Sequence, residues 1–245
     1  MKWFERLYFG TWQLGGQSKN LSIPQIESLL NFALMAGVCR FDTAAVYGGG
    51  MVEKILGTCL PEGAVIVTKI PAIKKPDITT TVPIDEFYTL DQLDRSVEGS
   101  LSRLRRTRLD TVLLHNWLPS WSSDALGILH HLQDMKKAGV AQRIGISLPN
   151  DFLAHIDEEV LPFVDVIEAP FNPNQRWVLE QLPAFIDSGK EVLLRSLFGQ
   201  GKLLSTHSAE SLITDAARLD TSVVIGMTTE EQIIRNINHL KGGAT

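Results

Sequence analysis

Cysteine is nearly absent. Cys39 and Cys59 are the two in 245 residues, too few for a disulfide framework, and their separation matches no metal-binding spacing. Reducing, cytoplasmic surroundings are expected, with no metal. Excess positive charge is missing as well: 23 Lys and Arg stand against 28 Asp and Glu, a formal net charge of -5. That argues against a nucleic-acid surface, because neutralising phosphates needs clustered cations. One run departs from the trend, Arg103, Arg105, Arg106 and Arg108. It closes a helical pattern, where cations oppose the negative end of the helix dipole, and reads as a solvated helix terminus. Long apolar runs are also missing. The first ten residues are broken by Lys2, Glu5 and Arg6, so no signal core forms there, and no later window is long and apolar enough to span a bilayer. A soluble protein without membrane or nucleic-acid partners is expected.

The glycine-rich turn G-x-G-x-x-G is absent after the first apolar run, where Gly10, Gly15 and Gly16 have the wrong spacing. This disfavours a doubly wound dinucleotide-binding sheet. What is present is an alternation of short apolar runs and amphipathic segments along the whole chain, the mark of a parallel sheet. Strands are predicted over residues 7–13, 38–43, 64–70, 109–115, 143–147, 164–169, 191–196 and 222–227. The segment 23–36 shows helix punctuation, with Ser22 as N-cap, an early Pro24 and Gly37 at its end. Eight strands in 245 residues predict one (β/α)8 barrel over residues 1–245. The stretch 71–89, with Pro71, Pro76, Pro83 and the run Thr79-Thr80-Thr81, has no period and reads as a long loop and candidate lid. Segments 148–162 and 205–219 offer only brief helices.

In such a barrel, chemistry gathers at the C-terminal strand ends. Asp42 ends the second strand, Tyr47 follows it, Lys69 ends the third and His115 the fourth. The set suits carbonyl reduction. Hydride addition creates an alkoxide that needs a proton. Tyrosine can supply it if a nearby ammonium lowers its pKa from about 10. Lys69 would be that ammonium, Asp42 would keep it charged, and His115 would hydrogen-bond the substrate oxygen. Each residue alone has a plain alternative, an ion pair, a capping tyrosine or a satisfied histidine; their joint placement favours chemistry.

The series Phe9-Gly10-Thr11-Trp12, Phe41-Asp42-Thr43-Ala44 with Tyr47-Gly48, Glu53, Leu56-Gly57, Thr68-Lys69, Ser100-Leu101-Ser102-Arg103-Leu104, Leu114-His115 and Gly145-Ile146-Ser147 resembles the aldo-keto reductases over nearly the whole chain. The resemblance implies NAD(P)H binding without a Rossmann turn. It implies Thr11 as a cofactor contact, and Ser147 and Glu168 beside the nicotinamide carboxamide, although Leu148 and Glu168 replace the family's asparagine and glutamine. It places the pyrophosphate at Arg195, Ser196 and Gly199. It places the adenosine end at Gly226, Met227, Thr228, Gln232 and Asn236. Gly226 and Gln232 stand where NADP-preferring members carry Lys and Arg; NADP(H) is still expected over NAD(H), with Arg235 as a substitute cation. Phe9 to Gly16, Pro170-Phe171-Asn172 with Gln175-Arg176, and Arg195 to Gly201 resemble a bacterial branch tied to sugar or surface-polysaccharide pathways. A sugar-derived aldehyde or ketone is therefore the expected substrate.

Trp12 and Trp117 are expected at the barrel mouth, facing substrate, with packing under the 71–89 loop as the alternative. Two other functions compete: a non-catalytic cofactor-binding barrel serving as a redox sensor or regulatory subunit, and a lyase or aldolase forming a Schiff base on Lys69. The only expected ligand partner is a small-molecule carbonyl compound, with the chain a monomer or small homo-oligomer.

Overall fold

A computed structural model describes residues 2–16, 20–79 and 81–243; Thr80 of the threonine run and the chain's end residues lie outside them. Eight parallel strands close into a barrel in sequence order: β1 (Leu7–Gly10), β2 (Arg40–Asp42), β3 (Val65–Ile70), β4 (Leu109–His115), β5 (Ala141–Ser147), β6 (Val166–Pro170), β7 (Glu191–Arg195) and β8 (Ser222–Gly226). β1 pairs with β8 as well as β2, which abolishes free edges. The expected (β/α)8 architecture is the one observed.

After a single helical turn, α1 (Trp3–Arg6), the outer layer comprises α2 (Ile23–Met35), α3 (Met51–Cys59), α4 (Leu90–Leu104), α5 (Leu126–Lys137), α6 (Val178–Asp187), α7 (Ala209–Ala217) and α8 (Glu230–Gly243). α2 shows why these segments are helical. Ser22 and Gln25 form a capping box, and Ile26, Leu29, Leu30 and Ala33 recur at helical spacing on its buried face. Gly37 then takes φ +90°, which stops the helix. Between β5 and β6 the outer helix is replaced by 3-10 turns at Glu158–Phe163, interrupted by Pro162.

Strand residues alternate between two environments. One parity, including Leu7, Phe9, Phe41, Val112 and Leu114, packs outward beneath the helices. The other faces the barrel interior in three layers. At the N-terminal end is a polar layer: Arg143 bonds Thr111 and Glu191, Ser222 donates to Glu191, and Arg40 donates to the Tyr8 hydroxyl. An apolar layer of Tyr8, Val67, Leu113, Val166, Leu193 and Val224 fills the middle. Two residues further along each strand lie Gly10, Asp42, Lys69, His115, Ser147, Glu168, Arg195 and Gly226. The upper layer is therefore polar and charged, and the apolar layer separates it from the lower one.

The arginine run is not simply solvated. Arg103, at the end of α4, donates at 2.6 Å to Glu53, a fully buried carboxylate on α3 that also accepts from Thr68 at 2.6 Å. Burying Glu53 requires a cation, so Arg103 is drawn inward and ties α3, α4 and β3 together. Arg106 donates to the carbonyls of Pro61 and Glu62.

Gly145 sits in the middle layer because nothing larger fits: a Cβ there would lie 1.9 Å from the Val166 carbonyl oxygen on β6. Gly145→Ala should therefore destabilise the fold by about 2–4 kcal/mol, read from the urea midpoint. An unchanged midpoint would contradict this strand contact.

Candidate active site

Lys69 is 1% exposed. Its ammonium lies 2.5 Å from Asp42 Oδ2, donates at 2.9 Å to the Thr43 carbonyl, and lies 3.3 Å from Glu168 Oε2. Burial works against the ammonium, but Asp42 and Glu168 together outweigh it and hold its pKa above the ordinary lysine value. The two carboxylates are not equivalent. Burial, then Glu168, pushes Asp42 well above the usual carboxylate range. Burial would raise Glu168 too, but Lys69 and Arg195 draw it down to about 2. Glu168 is thus the fixed anion of the pair. Arg195 Nε stands 3.0 Å from Glu168 Oε1, and Ser147 Oγ donates to the same oxygen at 2.9 Å.

Tyr47 opens a short turn after β2 in which Gly48 and Gly49 take φ of +56° and +63°. Its ring centroid lies 5.7 Å from Lys69 Nζ and 6.3 Å from the His115 ring, which it meets edge-on. The expectation that Lys69 brings the phenol towards neutrality needs correction. Lys69 does lower it, but burial is the larger effect, and with Asp42 and Glu168 it leaves the pKa raised to about 12. Burial, then Lys69, lowers His115 to about 3, so its imidazole is neutral at physiological pH. Its backbone carbonyl accepts a hydrogen bond from the buried Tyr88 hydroxyl.

These side chains border a cavity of about 330 Å³ at the C-terminal mouth. Asp42, Tyr47 and His115 line one end with Trp12; Gly226, Thr228, Gln232, Arg235 and Asn236 line another part; Arg195 and Ser196 also border it. Other residues from the expected cofactor set lie behind its wall. Thr11 is buried and donates to the Asp42 carbonyl at 2.8 Å, Met227 is buried in the core, and Gly199 packs on Leu203. Ser147 and Glu168 are fully buried and bonded to one another.

Lining residues not anticipated are Gln13, Asn116, Asn150, Phe198 and Gln200. Three lining residues, Asn116, Ser196 and Gln200, hold positive φ without being glycine, the kind of backbone strain that collects at functional sites. Asn116, directly after the strand-ending His115, carried a readable signal, since Asn tolerates this conformation best. Asn150 accepts from Arg195 and from Ser196 at 3.0 Å, joining the loops after β5 and β7.

Trp117 is corrected. It is fully buried away from the cavity, edge-on to Trp121, which packs against Phe87 and Tyr88 and donates at 2.9 Å to the Val82 carbonyl. This cluster, with Ile73 bonded to Phe87 and Gln92 to Pro71, fastens the 71–89 stretch to the barrel. It is a bound strap, not an open lid.

The geometry agrees with the sequence comparison. Residues 6–218 match the model of the aldo/keto reductase family, and the chain belongs to that family. It is 28% identical over 166 residues to the uncharacterized oxidoreductase YcsN of Bacillus subtilis, an alignment covering 65% of this chain and 54% of that protein. It is 27% identical over 225 residues to D-threo-aldose 1-dehydrogenase of a Pseudomonas species, covering 82% and 68% respectively. The chain thus spans about half the length of the first relative. An aldo-keto reductase from Klebsiella pneumoniae solved in complex with NADPH shares the fold with a TM-score of 0.73 at 18% identity, over 96% of this chain and 85% of that one. Among the described residues no helix is long and apolar enough to cross a membrane, and no group of side chains is arranged to hold a metal ion.

Trp117→Ala should cost about 3–5 kcal/mol in a denaturant titration, whereas Trp12→Ala, on the cavity wall, should cost much less and weaken ligand binding. Equal stability losses would place both tryptophans in the same structural role.

Proposed function

We propose that this chain is a nicotinamide-dependent oxidoreductase that interconverts an aldehyde or ketone, of the sugar-derived kind, with its alcohol. The observation that carries the reading is the convergence of Tyr47, Lys69, Asp42 and His115 at one end of a cavity lined elsewhere by Arg195, Ser196 and Arg235. The aldose dehydrogenase relative supports the substrate class. The tetrad fits a small carbonyl compound held between Trp12, Tyr47, His115 and Asn116.

The residues fit a dinucleotide on two grounds. Arg195 and Arg235 put cations along the cavity to meet phosphate charge, and Gly226 leaves its wall without a side chain. A bound nicotinamide would supply or accept the hydride, which no side chain here can do. Gly226 cannot be replaced by the basic residue of NADP-preferring relatives without displacing Gln13, since a Cβ would lie 1.5 Å from Gln13 Nε2. Gln232 is committed too, accepting at 2.7 Å from the Thr228 amide. NADP(H) is favoured over NAD(H) through Arg235, which would meet the 2'-phosphate, with Thr228 and Asn236 beside the adenosine.

The proton chemistry follows from charge. With its high pKa, Tyr47 is a neutral O–H donor near pH 7. It gives its proton to the oxygen as negative charge develops there, and Lys69 stabilises the phenolate left behind. Neutral His115 retains one N–H to orient the same oxygen. Asp42 holds Lys69 in place. A Schiff base on Lys69 is disfavoured because two carboxylates keep the nitrogen protonated, and only the free amine is nucleophilic. The redox-sensor alternative predicts nucleotide binding with no turnover over a wide aldose and aldehyde panel.

Tyr47→Phe should lower turnover by about 10²–10⁴-fold while nicotinamide nucleotide affinity, followed by fluorescence, stays within a factor of about two. Full turnover in that variant would overturn the assignment. Alcohol oxidation needs the phenolate, so with a pKa of about 12 its rate should climb about tenfold per pH unit between about pH 7 and 10, while carbonyl reduction shows no Tyr47-dependent loss over that interval. A plateau in oxidation near neutrality would refute the raised pKa. Arg235→Ala should weaken NADPH binding by about tenfold and leave NADH binding unchanged; equal effects on both would remove Arg235 from the 2'-phosphate.

A further inference from the structure

Lys69 gives its hydrogen bonds to Asp42 and the Thr43 carbonyl. Yet Glu168 is fully buried, and its Oε2 accepts no hydrogen bond, facing Lys69 Nζ at 3.3 Å. Its other oxygen takes Ser147 at 2.9 Å and Arg195 at 3.0 Å. Arg195 is itself fixed by the Leu148 carbonyl and by Asn150. The upper layer of the barrel thus carries two carboxylates, Asp42 and Glu168, and two basic groups, Lys69 and Arg195, in one connected set of contacts of which Glu168 is the fixed anion. Glu168 is surrounded by Asp42 from β2, Lys69 from β3, His115 from β4, Ser147 from β5 and Arg195 from β7, with Tyr47 in the turn above.

We infer that Glu168 and Arg195 form a counter-charge pair that sets, through Lys69, how readily Tyr47 gives up its proton. They are positioning residues and touch no reacting atom. The inference rests on Tyr47 being the proton carrier. Removing the Glu168 charge makes the layer more positive, which favours phenolate; removing the Arg195 charge makes it more negative, which disfavours it. Glu168 raises the Tyr47 pKa and Arg195 lowers it, with these same signs. A unit charge at this range in a partly screened interior is equivalent to about one to two pH units. Two residues in direct contact should therefore produce opposite effects.

The test reads tyrosinate ultraviolet absorbance against pH in the free protein, so it needs neither substrate nor nucleotide. Each variant is paired with its Tyr47→Phe counterpart to isolate Tyr47 from Tyr8 and Tyr88, and near-ultraviolet circular dichroism reports folding. In Glu168→Gln, which keeps the shape and the Ser147 bond, the Tyr47 transition should fall by about one to two pH units. If the parent protein unfolds in alkali first, a Tyr47-dependent transition should emerge in Glu168→Gln below that limit. A folded Glu168→Gln protein with no earlier Tyr47 ionisation overturns the inference.

Alcohol oxidation at fixed pH gives the second arm. At saturating nucleotide, where any contribution of Arg195 to phosphate binding no longer limits the rate, Glu168→Gln should be about tenfold faster than the parent, Arg195→Met about tenfold slower, and the double variant Glu168→Gln/Arg195→Met between the singles. If Glu168→Gln does not fold, Arg195→Met at saturating nucleotide decides: an oxidation rate equal to the parent's overturns the inference. Losses of the same sign in Glu168→Gln and Arg195→Met would mark a structural role only. Retained turnover in Tyr47→Phe would instead sink the functional reading, and the absorbance result would stand or fall separately.

Discussion

One buried ammonium organises the top of this barrel. An isolated lysine at 1% exposure would shed its proton, because removing a charge from water costs far more than neutralising it. Asp42 at 2.5 Å prevents that. The chain then adds a second carboxylate, Glu168, whose burial creates the same difficulty with opposite sign, and Arg195 and Ser147 answer it. From Lys69 the requirement passes from strand to strand until charge is balanced. The apolar layer below, Tyr8 to Val224, keeps this set apart from the Arg143–Glu191 cluster at the other end.

Much of this was legible in the sequence, because a parallel barrel writes its layers into strand parity. Thr111-Leu113-His115, Arg143-Gly145-Ser147 and Glu191-Leu193-Arg195 each read polar, apolar or glycine, polar at two-residue steps, while the strand centres were placed correctly from the alternation of apolar runs with amphipathic segments. Ends differed by one to three residues, as for 38–43 against Arg40–Asp42. The tetrad followed from strand ends. Glu168 and Arg195 belong to the same inward row, but Glu168 was read as a departure from a family position and Arg195 as part of the pyrophosphate loop, and so their pairing was missed.

Trp117 shows where the pattern fails. His115 faces inward, so strict alternation would send Trp117 inward too. Asn116 takes φ +64°, which ends the strand, and the next side chain packs edge-on against Trp121. The strap over residues 71–89 was read as a long loop and candidate lid for a related reason. Its fastenings, Trp121 to Val82 and Tyr88 to the His115 carbonyl, join segments 39 and 27 residues apart, and no local period records them. Arg103 was likewise correctly placed at a helix terminus, but the buried Glu53 that claims it lies 50 residues away.

The phenol of Tyr47 is the sharpest case of one physical effect overriding another. Chemistry by residue type says that a lysine beside a tyrosine lowers its pKa, and Lys69 does act in that direction. Burial acts against it and is larger, and the carboxylates that keep Lys69 charged also oppose phenolate. The same ion pair therefore has two consequences: it preserves the ammonium and restrains the acid. A neutral, reluctant phenol suits proton donation to a developing alkoxide, since donation is required only once that oxygen has become the stronger base. Withdrawal of a proton from an alcohol is handicapped by the same arrangement. With Tyr47 as the proposed proton carrier, its raised pKa handicaps alcohol oxidation at neutral pH, and of the two residues behind or beside the cavity wall Glu168 on β6 adds to that rise while Arg195 on β7 opposes it.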